Sequence, residues 1–381
     1  LQHKGGLDGR LCAAALSVEG DFLMERTIRV GVIGFGLAGQ VFHTAVIDET
    51  PGLELACIVQ RTGESAAQRY PRAKIARSVE EMLGDASIEL CVVATPNDTH
   101  FPLAAQCLRA GRNVVVDKPV TLSSADAEAL AVLAREQRRV FAPYHNRRWD
   151  GDFQTLHGLL ASGRLGEPRV FESHFDRFRL HPKPGAWRET EAAGGGTLFD
   201  LGPHLIDQAL ALFGAPTHVW ADVRIAREGV SVDDTFDVEL TYAGSRQEKL
   251  RVWLRAGILA ASPGARFTLH GTAGSFEKRG LDPQEAALKN GALFADAGFG
   301  VDPEPNWGTL TFPDGRVETV PTGRGDYRGY YGNVRDAILG VAPLAVTPGA
   351  AWSVARIMEA ARESSRTGCR VAVDLRKASQ L

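Results

Sequence analysis

Two stretches hold side chains whose types and spacing could do acid–base chemistry. In TLFDLGPHLIDQALALFG, residues 197–214, Asp200, His204 and Asp207 stand four and three positions apart, so a helix would set them on one face. Histidine titrates near neutrality, and a carboxylate beside it can orient the ring or hold a substrate hydroxyl. A divalent-metal site and a buried, satisfied polar network are the competing readings. With three ligands in one segment and no supporting cysteine, no metal is expected. Pro203 argues that the regular helix begins nearer Asp200, which would leave the proline in its tolerated first turn. In Val116-Asp117-Lys118-Pro119 an amine follows directly on an apolar run, and the proline keeps it out of helical geometry. Lys118 is therefore placed to reach a ligand. The alternative is a surface lysine at a turn.

A third stretch, Gly34-Phe35-Gly36-Leu37-Ala38-Gly39, closes the apolar run TIRVGVIG and opens a helical pattern. Glycines at these positions permit a tight turn, a close backbone approach to a pyrophosphate, and tight packing of helix on sheet. The free N–H groups of the helix then face the phosphates, so the turn predicts a bound dinucleotide, with a purely structural glycine turn as the alternative. The next apolar run ends in Val59-Gln60-Arg61-Thr62, with no acid before Glu64. An acid there would accept from a ribose 2′-hydroxyl. Arg61, with Gln60 and Thr62 beside it, suits a 2′-phosphate instead, so NADP is expected and NAD remains possible. Thr95, Pro96 and Asn97 are expected at the nicotinamide ribose, although Asn97 or Thr99 could equally cap a helix. His100, Asp117, Lys118 and Asn146 complete the expected cofactor-facing set.

The elements that must position these residues alternate from Thr27 onward. Apolar strand-like runs (TIRVGVIG, LELACIVQR, ASIELCVVATP, NVVVDKP, VFAPYH) are separated by amphipathic helical patterns. Such alternation implies a parallel sheet covered on both faces, a doubly wound Rossmann domain over residues 27–146. After HNRRWDGDF the period changes to two in HVWADVRIAR, DDTFDVELTYAG, EKLRVWLRAGILA and ARFTLHGTAGSFEKRG. That predicts a C-terminal α+β domain, residues 147–375, with a mainly antiparallel sheet, and makes the fold α/β overall. Helices are expected after the glycine run 194–196 and over AAWSVARIMEAARESS, with long loops over 280–330. Residues 1–26 read as an extension, with Met24 the expected natural start.

The 381 residues suffice for two domains, and 44% apolar residues fill two cores. A net charge of −3 offers no broad attraction to nucleic acid or to an anionic membrane, and neither partner is expected. No apolar run reaches about 18 residues, the length of a membrane span. Five cysteines without CxxC spacing suggest neither a disulfide framework nor zinc, and fit a reducing, cytoplasmic setting.

Three of these motifs, in this order, resemble the glucose–fructose oxidoreductase / inositol dehydrogenase / rhizopine catabolism family. They are VGVIGFGLAG, the DKP of 117–119 (for the family's EKP) and GGGTLFDLGPHLID of 194–207. YHNRRWDGDF, FESHFDRFR, WRE and GLDPQEAALKNG resemble its NADP-dependent scyllo-inositol dehydrogenase subgroup in particular. The resemblance implies that Lys118, Asp200 and His204 form a catalytic set. It also implies a homodimer or homotetramer joined through an open C-terminal sheet. Its expected substrate is a polyol or sugar, whose secondary alcohol is interconverted with a ketone. The expected pocket contains Lys118, Asp200, His204, Arg148, Trp149, His174, Phe175, Arg177 and Trp187. Rival expectations are elimination or glycoside cleavage assisted by bound NAD(P), and a non-catalytic dinucleotide sensor.

Overall fold

The computed structural model describes residues 26–182, 194–245 and 247–381. Six short runs rich in Val, Ile and Leu form the first sheet: β1 Ile28–Ile33, β2 Leu53–Val59, β3 Lys74–Ala76, β4 Leu90–Val93, β5 Asn113–Val116 and β6 Phe141–Pro143. Their order is β3-β2-β1-β4-β5-β6 and every pairing is parallel, so the strand order reverses beside β1. Ile28, Val30, Val32, Leu90, Val92, Val114 and Val115 have no exposed surface, as a sheet covered on both faces requires. Full burial of each such side chain favours folding by about 1.5–3 kcal/mol.

The second sheet has nine strands: β7 Pro168–His174, β8 His218–Arg224, β9 Thr235–Thr241, β10 Arg251–Gly257, β11 Phe267–Gly271, β12 Ser275–Lys278, β13 Gly308–Thr311, β14 Val317–Val320 and β15 Val371–Ala372. They run β14-β13-β12-β11-β7-β10-β9-β8-β15, antiparallel except for β7 against β10. The expected Rossmann sheet plus mainly antiparallel sheet is thus present. Helices Thr197–Phe213 and Pro348–Thr367 cover one face, burying Leu205, Ala209, Ile357 and Ala361 against Val219, Val238, Leu240 and Val252.

Two expectations are corrected. The stretch 280–330 is not long loop: it holds the helix Gln284–Lys289 and strands β13 and β14, and the helix Arg328–Ile338 follows immediately. These elements are short, and they pack where local periodicity does not show it. Tyr330 donates from its hydroxyl to Pro143 O at 2.9 Å, and Arg335 Nη1 donates to Pro51 O at 2.6 Å. The chain therefore returns to the first sheet, and Tyr327, Tyr330 and Tyr331 share a core with Val30, Ile58 and Tyr144. The second correction concerns the catalytic-candidate helix, which starts at Thr197 and carries Pro203 in its second turn. Proline has no N–H to offer the Phe199 carbonyl. Tertiary burial of Leu198, Phe199 and Leu201 and the capping of the first amides by Asp233 outweigh that loss.

Candidate active site

The glycine turn leaves β1 with Gly34 at φ +102°, a region that favours glycine, and a Cβ there would stand 2.5 Å from Ala94 O. A Cβ on Gly39 would stand 2.1 Å from Gly34 O, so this position admits only the close approach of helix to sheet. Gly36, by contrast, has nothing within 4 Å of its would-be Cβ. That open cradle at a helical N-terminus fits a pyrophosphate. Phe35 packs edge-on against Tyr70 beneath the turn, while Leu37 is exposed and Ala38 runs into the wide turn Gly39–Thr44.

At the tip of β2, Arg61 and Thr62 are exposed. Gln60 is not free: its amide donates to Ser65 Oγ at 2.9 Å and its side-chain oxygen accepts from Ala66 N at 2.9 Å. Sequence reading missed Arg77, directly after β3. Its guanidinium donates to Gln60 O (3.0 Å) and Gly63 O (2.8 Å) and pairs with Glu64 (2.5 Å). Arg77 therefore fixes the loop that presents Arg61, and it occupies the nearest acid, which otherwise could have accepted from a ribose hydroxyl.

Beyond β4, Thr95 and Thr99 share a hydroxyl bond of 2.6 Å, and Asn97 Nδ2 reaches across to Gly194 O at 2.9 Å. Asn97 thus joins the first sheet to the glycine run ahead of the long helix. Pro96 precedes the short turn Asn97–Thr99. His100 is buried, with its ring nitrogens 2.8 Å from Pro119 O and 2.9 Å from Thr95 O, so it ties two strand ends together from behind. Asp117 is also turned inward, accepting from Lys118 N at 2.8 Å. His43 Nε2 lies 3.7 Å from Asp117, too far for a hydrogen bond, and His43 Nδ1 meets Tyr331 Oη at 2.6 Å. Burial pushes the Asp117 carboxyl up, but His43, Lys118 and His100 more than reverse this and hold it at about 2. Asn146 is buried in the short turn Asn146–Trp149.

The geometry centres on Lys118. Its Nζ donates to Asp200 Oδ1 at 2.9 Å and to Asp200 O at 2.5 Å, joining the end of β5 to the long helix across 82 residues. His204 follows one helical turn after Asp200 and is buried, and its Nδ1 is enclosed without a hydrogen-bond partner. Burial first, then the positive charges of Lys118 and Arg147, hold the His204 ring well below the usual histidine range, so it is neutral at neutral pH. Arg177 Nη1 approaches Asp200 Oδ2 to 3.8 Å. Asp200 therefore faces Lys118 and Arg177 and, among the described residues, makes no hydrogen bond to His204.

Other pocket candidates lie elsewhere. Arg148 grips Asp207 through two bonds, Nε to Oδ2 at 2.8 Å and Nη2 to Oδ1 at 2.6 Å, and also donates to Ala345 O. Asp207 is thereby withdrawn from the Asp200–His204 pair. Trp149 packs edge-on against Tyr330, 5.5 Å between ring centres. His174 sits between Glu172 (3.4 Å) and Asp176 (3.7 Å), and Phe175 is buried with the guanidiniums of Arg147, Arg177 and Arg266 about its ring at 5.0, 5.1 and 5.3 Å. Trp187 lies outside the described residues. Among the described residues no cluster of His, Cys, Asp and Glu is arranged to hold a metal ion, and no helix is long and apolar enough to cross a membrane.

Two family models match the chain. An oxidoreductase family with an NAD-binding Rossmann fold covers residues 28–145, and a GFO/IDH/MocA C-terminal domain covers residues 153–277. The uncharacterized oxidoreductase YdgJ of Escherichia coli K12 is 43% identical over 90% of this chain and 98% of its own length. The scyllo-inositol 2-dehydrogenase (NADP(+)) IolW of Bacillus subtilis is 38% identical over 89% of this chain and 94% of its own length. The solved structure of YvaA from Bacillus subtilis superposes with a TM-score of 0.88 at 36% identity, covering 92% of this chain and 99% of that one.

Proposed function

Because this chain belongs to the GFO/IDH/MocA oxidoreductase family, with its NAD(P)-binding Rossmann fold, we propose that it interconverts a secondary alcohol of a polyol or sugar with the corresponding ketone, using NADP. The observation that carries this reading is the Lys118–Asp200 contact beside a neutral, unpartnered His204, at the strand ends where such sheets bind ligands. The bound nicotinamide would supply hydride acceptance and donation. His204 is in the protonation state that takes the hydroxyl proton in oxidation. Lys118 can donate to the same oxygen and stabilise negative charge developing on it. Asp200 holds Lys118 in place and lies beside the position of a neighbouring substrate hydroxyl. A dinucleotide sensor would need no such proton-transfer set. IolW, a relative that by its name uses NADP(+) on scyllo-inositol, supports an inositol-like substrate. The test follows the ultraviolet absorbance of the reduced nicotinamide with NADP+ and with NAD+ against inositols, aldoses, their carboxylate and phosphate derivatives, and the keto forms. Turnover with NADP+ is expected. Silence across the panel, with NADPH binding verified separately, would overturn the reading.

Arg61 gives the NADP preference its own test. Arg61→Ala should weaken NADPH binding by roughly tenfold, the loss of about 1.4 kcal/mol of charge-assisted bonding, and leave NADH binding unchanged. Equal effects on the two cofactors, measured by fluorescence titration, would remove the argument for the 2′-phosphate.

We also assign the outer face of the nine-stranded sheet to a homodimer or homotetramer contact. Trp220 and Trp253 lie edge-on there at 6.5 Å, flanked by the ion pairs Arg255–Asp237 and Arg224–Asp237. Sedimentation should show an oligomer that Trp253→Glu dissociates, and a monomeric wild type would reject the assignment.

A further inference from the structure

Beside Asp200 lies an open pocket with a cavity volume of about 70 Å³, lined by Arg177, Arg179, Arg227, Thr197, Asp233 and Gly257 among others. Its basic wall is built by the backbone. Past the end of β7 three backbone bonds hold the chain against the end of β10: Arg177 N donates to Gly257 O, Arg179 N to Ile258 O, and Ala260 N to Arg177 O. Phe178, which is exposed, bridges to Leu259, and Arg177 and Arg179 on either side of it both line the pocket.

The charges around the pocket do not cancel at these two residues. Asp200 Oδ1 is taken by Lys118. Asp233 Oδ2 accepts from Leu198 N at 2.7 Å, capping the long helix. Arg227 is balanced by Asp234, Nε to Oδ2 at 2.9 Å, and Glu285 by Arg147 and Lys289. Arg177 is only 27% exposed, yet its closest carboxylate oxygen is 3.8 Å away and its guanidinium donates no hydrogen bond among the described residues. Burial lowers its pKa, the Asp200 and Glu285 carboxylates only partly offset this, and the neighbouring Arg179 and Arg147 charges add to the lowering. Arg179 likewise has no side-chain partner among the described residues. A part-buried guanidinium facing a cavity with its donors unspent is costly unless an anion completes it.

We propose that the substrate carries an anionic group, a carboxylate or phosphate, which docks between Arg177 and Arg179 while the reacting carbinol lies at Lys118 and His204. This rests on the oxidoreductase reading above and narrows its substrate to acidic sugars or polyols. Planar guanidinium forks suit either oxyanion, so the two are separated by experiment.

The test is calorimetric titration of the enzyme saturated with NADPH, using D-glucose, D-glucuronate and D-glucose phosphorylated on its terminal carbon. At least one acid should bind about tenfold or more tightly than glucose, with the preference shrinking as salt rises. The tighter acid identifies the oxyanion. The preference should disappear in Arg177→Gln/Arg179→Gln. Arg179→Gln alone, at an exposed position, should reduce it without altering the melting temperature. The proposal is overturned if glucose binds as well as both acids, if neither acid binds, or if the preference survives the double substitution. Turnover is scored separately. Oxidation of neutral sugars without charge preference sinks this inference and spares the oxidoreductase reading. Selective acid binding with no cofactor reduction by any polyol does the reverse.

Discussion

Lys118→Met should cut kcat/KM for polyol oxidation by roughly 10²–10³-fold, the usual consequence of removing a donor aimed at a developing oxyanion. Methionine keeps the unbranched stem, so the loss isolates the ammonium that reaches Asp200 at 2.9 Å. NADPH affinity should remain close to wild type, because the phosphate cradle at Gly34–Gly39 shares no contact with that amine. The fold should also hold, since Asp200 is a quarter exposed and water can solvate the carboxylate that loses its cation. His204→Asn should produce a comparable fall for a different reason, loss of the proton acceptor. The two variants separate in their pH dependence. Burial holds His204 well below its ordinary 6.5, so wild-type oxidation should stay level as pH falls through that value and decline only on its acid side. His204→Asn should lack that decline, and Lys118→Met should retain it, moved to higher pH because one of the charges that hold the ring down is gone. Wild-type-like turnover in both variants, measured by steady-state kinetics, would end the assignment.

What the sequence made legible follows from how local each constraint is. The glycine turn could be read because its three glycines answer contacts within a few residues or to the adjacent strand end, such as Gly39 against Gly34 O. Lys118 was readable because an amine after a buried parallel strand has only the sheet's carboxyl edge to occupy. Asp200 and His204 follow from helical spacing. The same spacing also enrolled Asp207, and nothing local shows that Arg148, 59 residues earlier, takes its carboxylate. Arg77 was hidden for a similar reason, since its partners are the backbone oxygens of a loop more than a dozen residues away. His43 was absent from the expected site because it is buried behind Asp117, where only the return of Tyr331 to the first sheet gives it a partner. That return, from the short elements of 280–340, is the part of the fold that periodicity could not supply. Helices and strands of four to eleven residues give too few repeats to declare a period.

The misplacement of Arg148 carries a test of its own. Were Arg148 a pocket residue, Arg148→Ala would raise KM and leave stability untouched. The structure requires the opposite. Asp207 is 2% exposed, and burial pushes its carboxyl up while Arg148, and after it His145, hold it down as an anion. Truncating Arg148 leaves that carboxylate enclosed without its two bonds, a loss of about 3–5 kcal/mol. Urea unfolding should register it as a lower midpoint at an unchanged slope, with KM of the remaining folded enzyme near wild type. Asp207→Asn should cost less, because a neutral amide tolerates the enclosed site better than an orphaned charge. Combining the two substitutions should cost less than their sum, the signature of one shared interaction. A raised KM with an unmoved midpoint would instead return Arg148 to the substrate pocket.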